Sequence, residues 1–404
     1  VGEEVLEDLK RRLQQTVFFE PLEETNFEYG FNTNYLKKVQ KHWLESFDWK
    51  KQEAKLNQFP QFTTQIEGLN VHFLRVPPPA NKYKKVYPLL IVHGWPGSVW
   101  EFHKIIPMLI DPKSVKLNVD FAFEVIAPSI PGYGWSEAPK KQGFSAIAAA
   151  RIFTKLMDRL GYKSFYAQGG DWGSLITTHI AQIYPERVDG LHLNMAMTMP
   201  TDSPYLFLMH ILGGIAPSLV LDPVDVPKVY PYFKRFLHIL QESGYMHIQA
   251  TKPDTVGFAL NDSPMGLAAY ILEKFSTWTN PAYVSLPDGG LEKQYTLDEL
   301  LTNIMIYWTT GSIASSQRFY KETFAHPDHF AFMRAPVSAV PTGVACFPYE
   351  LARSPRKFLE AHKYPNLTHY TDMPTGGHFA AFEQPKLLAE DIVTFVKHLN
   401  QIQK

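Results

Sequence analysis

The stretch Gly169-Gly170-Asp171-Trp172-Gly173 constrains this chain more than any other. It joins an apolar, strand-like run, KSFYAQ (163–168), to a segment with helical spacing, WGSLITTHIAQIY (172–184). Two glycines four residues apart at such a junction remove side chains where a strand and the helix that follows it cross closely. The spacing is that of a nucleophile elbow, G-x-S-x-G, with Asp171 where the serine usually stands. The competing reading is a glycine-rich turn in which Asp171 merely caps the helix, since aspartate is a favoured N-cap.

The surroundings repeat the same strand-then-helix unit. YPLLIVHGW (87–95), FAFEVIAPSIPGYG (121–134) and VDGLHLNM (188–195) read as further buried strands, and SAIAAARIFTKLMDRL (145–160) as a helix between them. Strands alternating with helices predict a mostly parallel sheet covered on both faces. FTTQIEG and LNVHFLRV, around Gly68, read as a hairpin leading into it. Near Pro200 the rhythm stops, and residues 201–325 are rich in Pro, Tyr and helical segments. Strand signals return in PVSAVPTGVACFPYE (336–350) and LTHYTDMPTGGH (367–378), and one closing helix is expected from Ala380 to Leu399. A sheet interrupted by helices and then resumed is an α/β-hydrolase core with a lid. The expected organisation is an N-terminal helical extension (1–60), the first part of the core (61–200), a helical lid (201–325) and the second part of the core (326–404). In the extension, Leu6, Leu9 and Leu13, then Tyr35, Val39, His42 and Trp43, recur at helical spacing.

Composition excludes several classes. Lys plus Arg number 39 against 40 Asp plus Glu, so nothing in the charge predicts a nucleic-acid partner. Cys346 stands alone, which excludes an intrachain disulfide. The longest apolar run, Leu206–Leu221, is shorter than the roughly 20 residues of a membrane span and holds His210, two glycines and Pro217. Placed at the start of the lid, it is expected to border the substrate entrance and to touch a membrane surface, with a buried lid helix as the alternative. No metal or cofactor motif stands out, and no obligate protein partner is predicted.

The remaining motifs fit around the elbow. His93-Gly94-Trp95-Pro96 ends the strand at which this fold places an oxyanion-hole amide, so the backbone N–H groups of Trp95 and Trp172 are the expected donors. The fold takes nucleophile, acid and histidine in that chain order. Among 15 histidines, position after the last strand selects His378, in Gly376-Gly377-His378-Phe379. The end of the penultimate strand supplies Glu350 as the acid, with Asp372 as its competitor; the strand before the lid offers Asn194 but no carboxylate. A carboxylate nucleophile attacking an ester would give an anhydride, a poor intermediate. At an sp³ carbon it gives an ordinary ester, which water activated by His378 then hydrolyses. Asp171 therefore predicts displacement at an electrophilic carbon bearing either a halide or an epoxide oxygen.

HGWPGS (93–98), PSIPGYGWSEAP (128–139), GGDWGS (169–174), GYMHIQATKPDTVG (244–257), SSQRFYKE (315–322), PTGVACFPYE (341–350) and GGHFAAFE (376–383) together closely resemble the microsomal-type epoxide hydrolases, a group that includes the insect juvenile hormone epoxide hydrolases. The resemblance runs over nearly the whole chain. It implies Asp171 as nucleophile, Glu350 as acid, His378 as base, and Tyr245 and Tyr320 as lid tyrosines that protonate the departing epoxide oxygen. It implies a lipophilic epoxide and water as substrates and no cofactor, and leaves open whether the epoxide is juvenile hormone or a xenobiotic. Members of the family usually carry an N-terminal membrane anchor and sit on the endoplasmic reticulum, so an anchor upstream of Val1 is expected. A haloalkane dehalogenase-like enzyme and a non-catalytic lipid-binding protein of the same fold are the alternatives. The absence of a serine at the elbow disfavours a serine esterase.

Overall fold

In the computed structural model, which describes residues 1–402, eight strands form one sheet in the order β1-β2-β4-β3-β5-β6-β7-β8. They are β1 (Gln61–Ile66), β2 (Leu69–Val76), β3 (Lys85–Val92), β4 (Phe121–Pro128), β5 (Phe165–Gly169), β6 (Val188–Leu193), β7 (Thr342–Cys346) and β8 (Leu367–Asp372). β1 pairs antiparallel with β2, and β2 with β4; every other pairing is parallel. The expected α/β-hydrolase architecture is therefore present. The β1–β2 hairpin turns on Glu67 and Gly68, both at positive φ (50° and 83°), as a two-residue turn that matches strand twist demands. Arg151 and Lys155 hold the Glu67 carboxylate at 2.9 and 2.7 Å.

β5 is buried at all five positions, the signature of a parallel strand covered on both sides. Ala149, Ile152, Phe153, Ile176 and Ile180, from the helices Ala146–Arg159 and Trp172–Ile183, cover one face. Ile106, Leu109, Leu388, Ile392 and Phe395 cover the other. Between β6 and β7 the chain leaves the sheet and forms only helices. The expected closing helix is two pieces, Ala380–Glu383 and Pro385–Ile402, because Pro385 has no N–H to continue the first.

The N-terminal extension folds onto these inserted helices. Helices Glu3–Gln14 and Thr33–Glu45 both pack against the helix Pro264–Thr277, and Trp49–Leu56 packs against Leu297–Thr310. Leu9, Leu13, Tyr35, Val39 and Trp43 are buried there, as their spacing predicts. Arg12 reaches Asp262 at 2.8 Å and His42 reaches Asp298 at 2.8 Å. Among the described residues no helix is long and apolar enough to cross a membrane. The apolar run forms the helices Pro204–Ile215 and Pro217–Val220, and the two readings of it divide between its residues. Leu206 is fully buried with Val220, Val229 and Phe358, whereas Phe207, Leu208, Ile211 and Ile215 are exposed.

Candidate active site

Asp171 has φ 50° and ψ −131°, a conformation that costs an L-residue about 1–3 kcal/mol. Close packing imposes it. An added Cβ on Gly173 would stand 1.9 Å from the Val92 carbonyl oxygen, so helix Trp172–Ile183 lies directly on the end of β3. The Asp171 side chain makes no capping hydrogen bond to that helix, which removes the N-cap reading. Instead Oδ1 accepts from the Trp95 N–H at 2.7 Å, and Oδ2 lies 3.3 Å from His378 Nε2. The Trp172 N–H opens the helix, where first-turn amides have no intrahelical acceptor.

Glu350, three-per-cent exposed, faces the other side of the imidazole, with both oxygens near Nδ1 (2.9 and 3.0 Å). The Ala352 amide donates to the same carboxylate at 3.2 Å. Asp372, the competing acid, is engaged with Lys228 at the end of β8. Burial pushes His378 down, but Glu350 and Asp171 on its two nitrogens outweigh that and carry it well above the ordinary histidine range. The two carboxyl groups thus both favour the protonated form of the imidazole between them. His93, in the HGWP turn, has a different task. It touches the Gly94 carbonyl through Nδ1 at 3.0 Å and receives the Ile130 N–H on Nε2 at 3.2 Å, which ties β3 to the turn after β4. Burial keeps it neutral by lowering it to about 4.

Tyr245 and Tyr320 meet above this group. Tyr245 stacks on Trp95 with centroids 5.0 Å apart and planes 6° from parallel. Tyr320 stands edge-on to Trp172 at 4.6 Å, and the two tyrosine rings are 5.9 Å apart. Burial, then the nearby Asp171 charge and, for Tyr320, its partner Tyr245, raise both phenols well above 10, so they stay protonated. All seven residues singled out in the sequence therefore lie around one point: Asp171, Glu350, His378, Tyr245, Tyr320, Trp95 and Trp172.

Three further residues belong here and were not singled out. Trp278, at the end of the helix Pro264–Thr277, packs edge-on to the His378 ring at 5.0 Å, and its carbonyl receives the His378 N–H at 3.0 Å. Glu383 clamps the loop on both sides of His378, accepting from the Gly377 and Phe379 amides at 2.8 and 2.9 Å. Glu101 lines a small cavity beside Asp171 and His378. Glu383 lies inside the quoted GGHFAAFE. Glu101 completes Ser98-Val99-Trp100-Glu101, an S-x-x-E pattern that reads as a capping box. Among the described residues no cluster of His, Cys, Asp and Glu has the arrangement of a metal site.

Known proteins share this arrangement of chain. A family model described as "Epoxide hydrolase N terminus" matches residues 1–102, and one described as "alpha/beta hydrolase fold" matches residues 87–223. The chain is 53% identical to epoxide hydrolase 1 of Sus scrofa over 401 residues, 99% of this chain and 88% of that protein. It is 44% identical to the juvenile hormone epoxide hydrolase of Bombyx mori, over 99% of this chain and 86% of the relative. The crystal structure of juvenile hormone epoxide hydrolase from Bombyx mori superposes with a TM-score of 0.94, covering 100% of this chain and 94% of that one. The Aspergillus niger epoxide hydrolase structure, 28% identical, superposes at 0.80 over 99% of this chain and 94% of its own.

Proposed function

The chain belongs to the epoxide hydrolase family and is an epoxide hydrolase, and from that premise we propose that it converts lipophilic epoxides to vicinal diols through an ester on Asp171. The observation that carries this reading is the placement of Asp171 Oδ1 on the Trp95 amide and Oδ2 beside His378 Nε2, under two protonated tyrosines. Oδ2 attacks a ring carbon, the C–O bond breaks, and Tyr245 or Tyr320 gives the departing oxygen its proton. Esterification removes the Asp171 charge, one of the two that hold the His378 proton. The imidazolium then releases that proton, which restores the tyrosine, and becomes a base. Water gives a proton to Nε2 and attacks the Asp171 carbonyl carbon. The Trp95 and Trp172 amides stabilise the charge on Oδ1. As the tetrahedral intermediate collapses, the hydroxyl added from water passes its proton to the departing oxygen, which frees the diol and leaves Asp171 as carboxylate and His378 as imidazolium. Glu350 orients the ring and stabilises its cationic form, by the logic of a triad.

Trp95, Trp278, Tyr270 and Tyr320 make the surroundings aromatic, which suits an apolar epoxide. Juvenile-hormone-like and xenobiotic epoxides both fall in this class, and relative turnover of juvenile hormone and styrene oxide separates them. We also propose association with the endoplasmic-reticulum membrane, as the family resemblance implies; recovery of the full-length protein in a cytosolic fraction would overturn it.

His378→Gln tests the covalent step. This variant is expected to open the epoxide and retain the ester, so that intact mass rises by one epoxide molecule, with the adduct on the peptide carrying Asp171. In ¹⁸O water, the first diol released by wild-type enzyme should be unlabelled and Asp171 should gain the label. A labelled first-turnover diol would show direct attack by water and refute the ester.

A further inference from the structure

Glu101 is a buried acid for which the mechanism above has no use. It sits in a short 3-10 turn, Val99–Phe102, directly after HGWPGS. Its side chain folds back over Gly97, where an added Cβ would stand 1.2 Å from Glu101 Oε1. From there it faces a small cavity of about 20 Å³. The other walls include Gly94, Trp95, Asp171, Asn194 and His378. One water needs at least roughly 10–15 Å³ and two to four polar partners. This space has room for one such molecule, and its walls offer those partners. It lies against both Asp171, the atom group to be attacked, and His378, the base.

We propose that Glu101 holds the hydrolytic water, its carboxyl oxygen accepting one hydrogen while His378 Nε2 accepts the other and the oxygen lone pair faces the Asp171 carbonyl carbon. This rests on the reading of Asp171 and His378 given above. The carboxyl is neither consumed nor changed in charge. One water hydrogen moves to His378, the other stays on the attacking oxygen until collapse hands it to the departing alkoxide, and Glu101 fixes which is which. The groups facing it are His378, Asp171 and Glu383, with Tyr295 and Tyr307 from the lid. Burial, helped by the Asp171 and Glu383 charges and opposed by His378 and then the Ser98 amide, pushes Glu101 up to about 8. At neutral pH it is then mostly the uncharged acid, and it adds no further full anion beside Asp171 and Glu350. Gly97 is part of the device, because any side chain there would occupy the place of the carboxyl.

The test separates the two half-reactions with styrene oxide in single turnovers. Alkylation is read from tryptophan fluorescence and hydrolysis from diol release. Glu101→Leu should leave alkylation within roughly twofold of wild type and slow hydrolysis about 10–100-fold, the range for losing one buried hydrogen-bond partner. The Asp171 ester should accumulate in intact-mass spectra. Glu101→Gln, which keeps a carbonyl oxygen in place, should recover at least a tenth of the wild-type hydrolysis rate. Gly97→Ala, which leaves Glu101 in the chain but displaces it, should show the same split as Glu101→Leu and serves if that variant does not fold. Hydrolysis unchanged in the variants that fold, or alkylation and hydrolysis falling together, would overturn the proposal. If wild type and His378→Gln never form an Asp171 adduct, the ester reading itself fails, and that outcome is distinct from an adduct that forms and hydrolyses normally without Glu101.

Discussion

Gly94→Ala should damage the chemistry without damaging the fold. An added Cβ at Gly94 would lie 2.1 Å from Asp171 Oδ1 and 2.3 Å from Asp171 Cβ. Non-bonded carbons pack at about 3.5–4.0 Å, so the two must separate by about 1.2–1.7 Å. Rotation of the carboxylate cannot relieve the clash, because the Asp171 Cβ is itself one of the colliding atoms. The displacement carries Oδ1 off the Trp95 amide, now at 2.7 Å. A hydrogen bond to a charged group contributes about 1.5–3 kcal/mol, which at about 1.4 kcal/mol per factor of ten is roughly 10–100-fold. Misplacement of a reacting group by about 1 Å independently costs on the order of 100-fold. Alkylation by styrene oxide in a single turnover should therefore fall about 100-fold, read by stopped-flow fluorescence of the tryptophans beside Asp171. Gly173→Ala is the contrasting case. Its Cβ would meet the backbone of Val92 at 1.9 Å, so strand and helix must part and the loss should appear as missing folded protein in thermal melts. If Gly94→Ala folds and alkylates within roughly threefold of wild type, the argument from nucleophile placement is wrong.

Tyr245→Phe and Tyr320→Phe each keep their ring packing and lose only the hydroxyl. Each should slow alkylation, and the double variant should lose about 10²–10⁴-fold, the usual range for general acid catalysis; full activity in the double variant would remove both from the mechanism. Glu383 gives a pH signature in stability. Burial holds its carboxyl up to about 8 when folded, whereas an unfolded glutamate titrates near 4.3. Between those values the folded state binds the extra proton, so this contribution is full below about pH 4.3 and is lost as pH rises through about 8. The wild-type Tm should therefore fall more between pH 5 and pH 8 than that of Glu383→Gln, and parallel curves would contradict it.

Much of this was legible in local spacing. The elbow, the HGWP turn and the strand–helix alternation are short-range patterns, and the backbone follows them. Chain order on that fold picked Glu350 and His378 as the candidate acid and base, and Glu350 rather than Asp372 proves to touch His378. Pro385 is a readable stop within the segment expected as one closing helix. Other features depend on where distant segments fold back. Nothing local distinguishes Tyr245 and Tyr320 from 18 other tyrosines, and only the resemblance selected them. Leu206 and Leu208 are alike in sequence, yet one is buried against Phe358 and the other is half exposed. Glu101 stands in a pattern, Ser98-Val99-Trp100-Glu101, whose local meaning is a helix cap and not an active site. Ser98 does cap the turn, accepting from the Trp100 amide at 3.3 Å, but the glutamate that completes the motif turns into the site.

The His378 amide hangs from the Trp278 carbonyl, and the helix that ends there is gripped from outside by the first helices of the chain. Two layers of packing thus separate the outer surface of the extension from the base. Such a lid is no free flap. Swinging Pro264–Thr277 away would pull on the loop that carries the base, so a substrate has to pass helices that do not support His378. Pro204–Ile215 and Tyr232–Glu242 are of that kind, and both turn bulky apolar side chains outward. Substitutions in the first 56 residues are therefore expected to reach the active site through this packing. A change at Leu13 or Tyr35 should shift the seating of the imidazole, although neither residue lines the cavity beside Asp171.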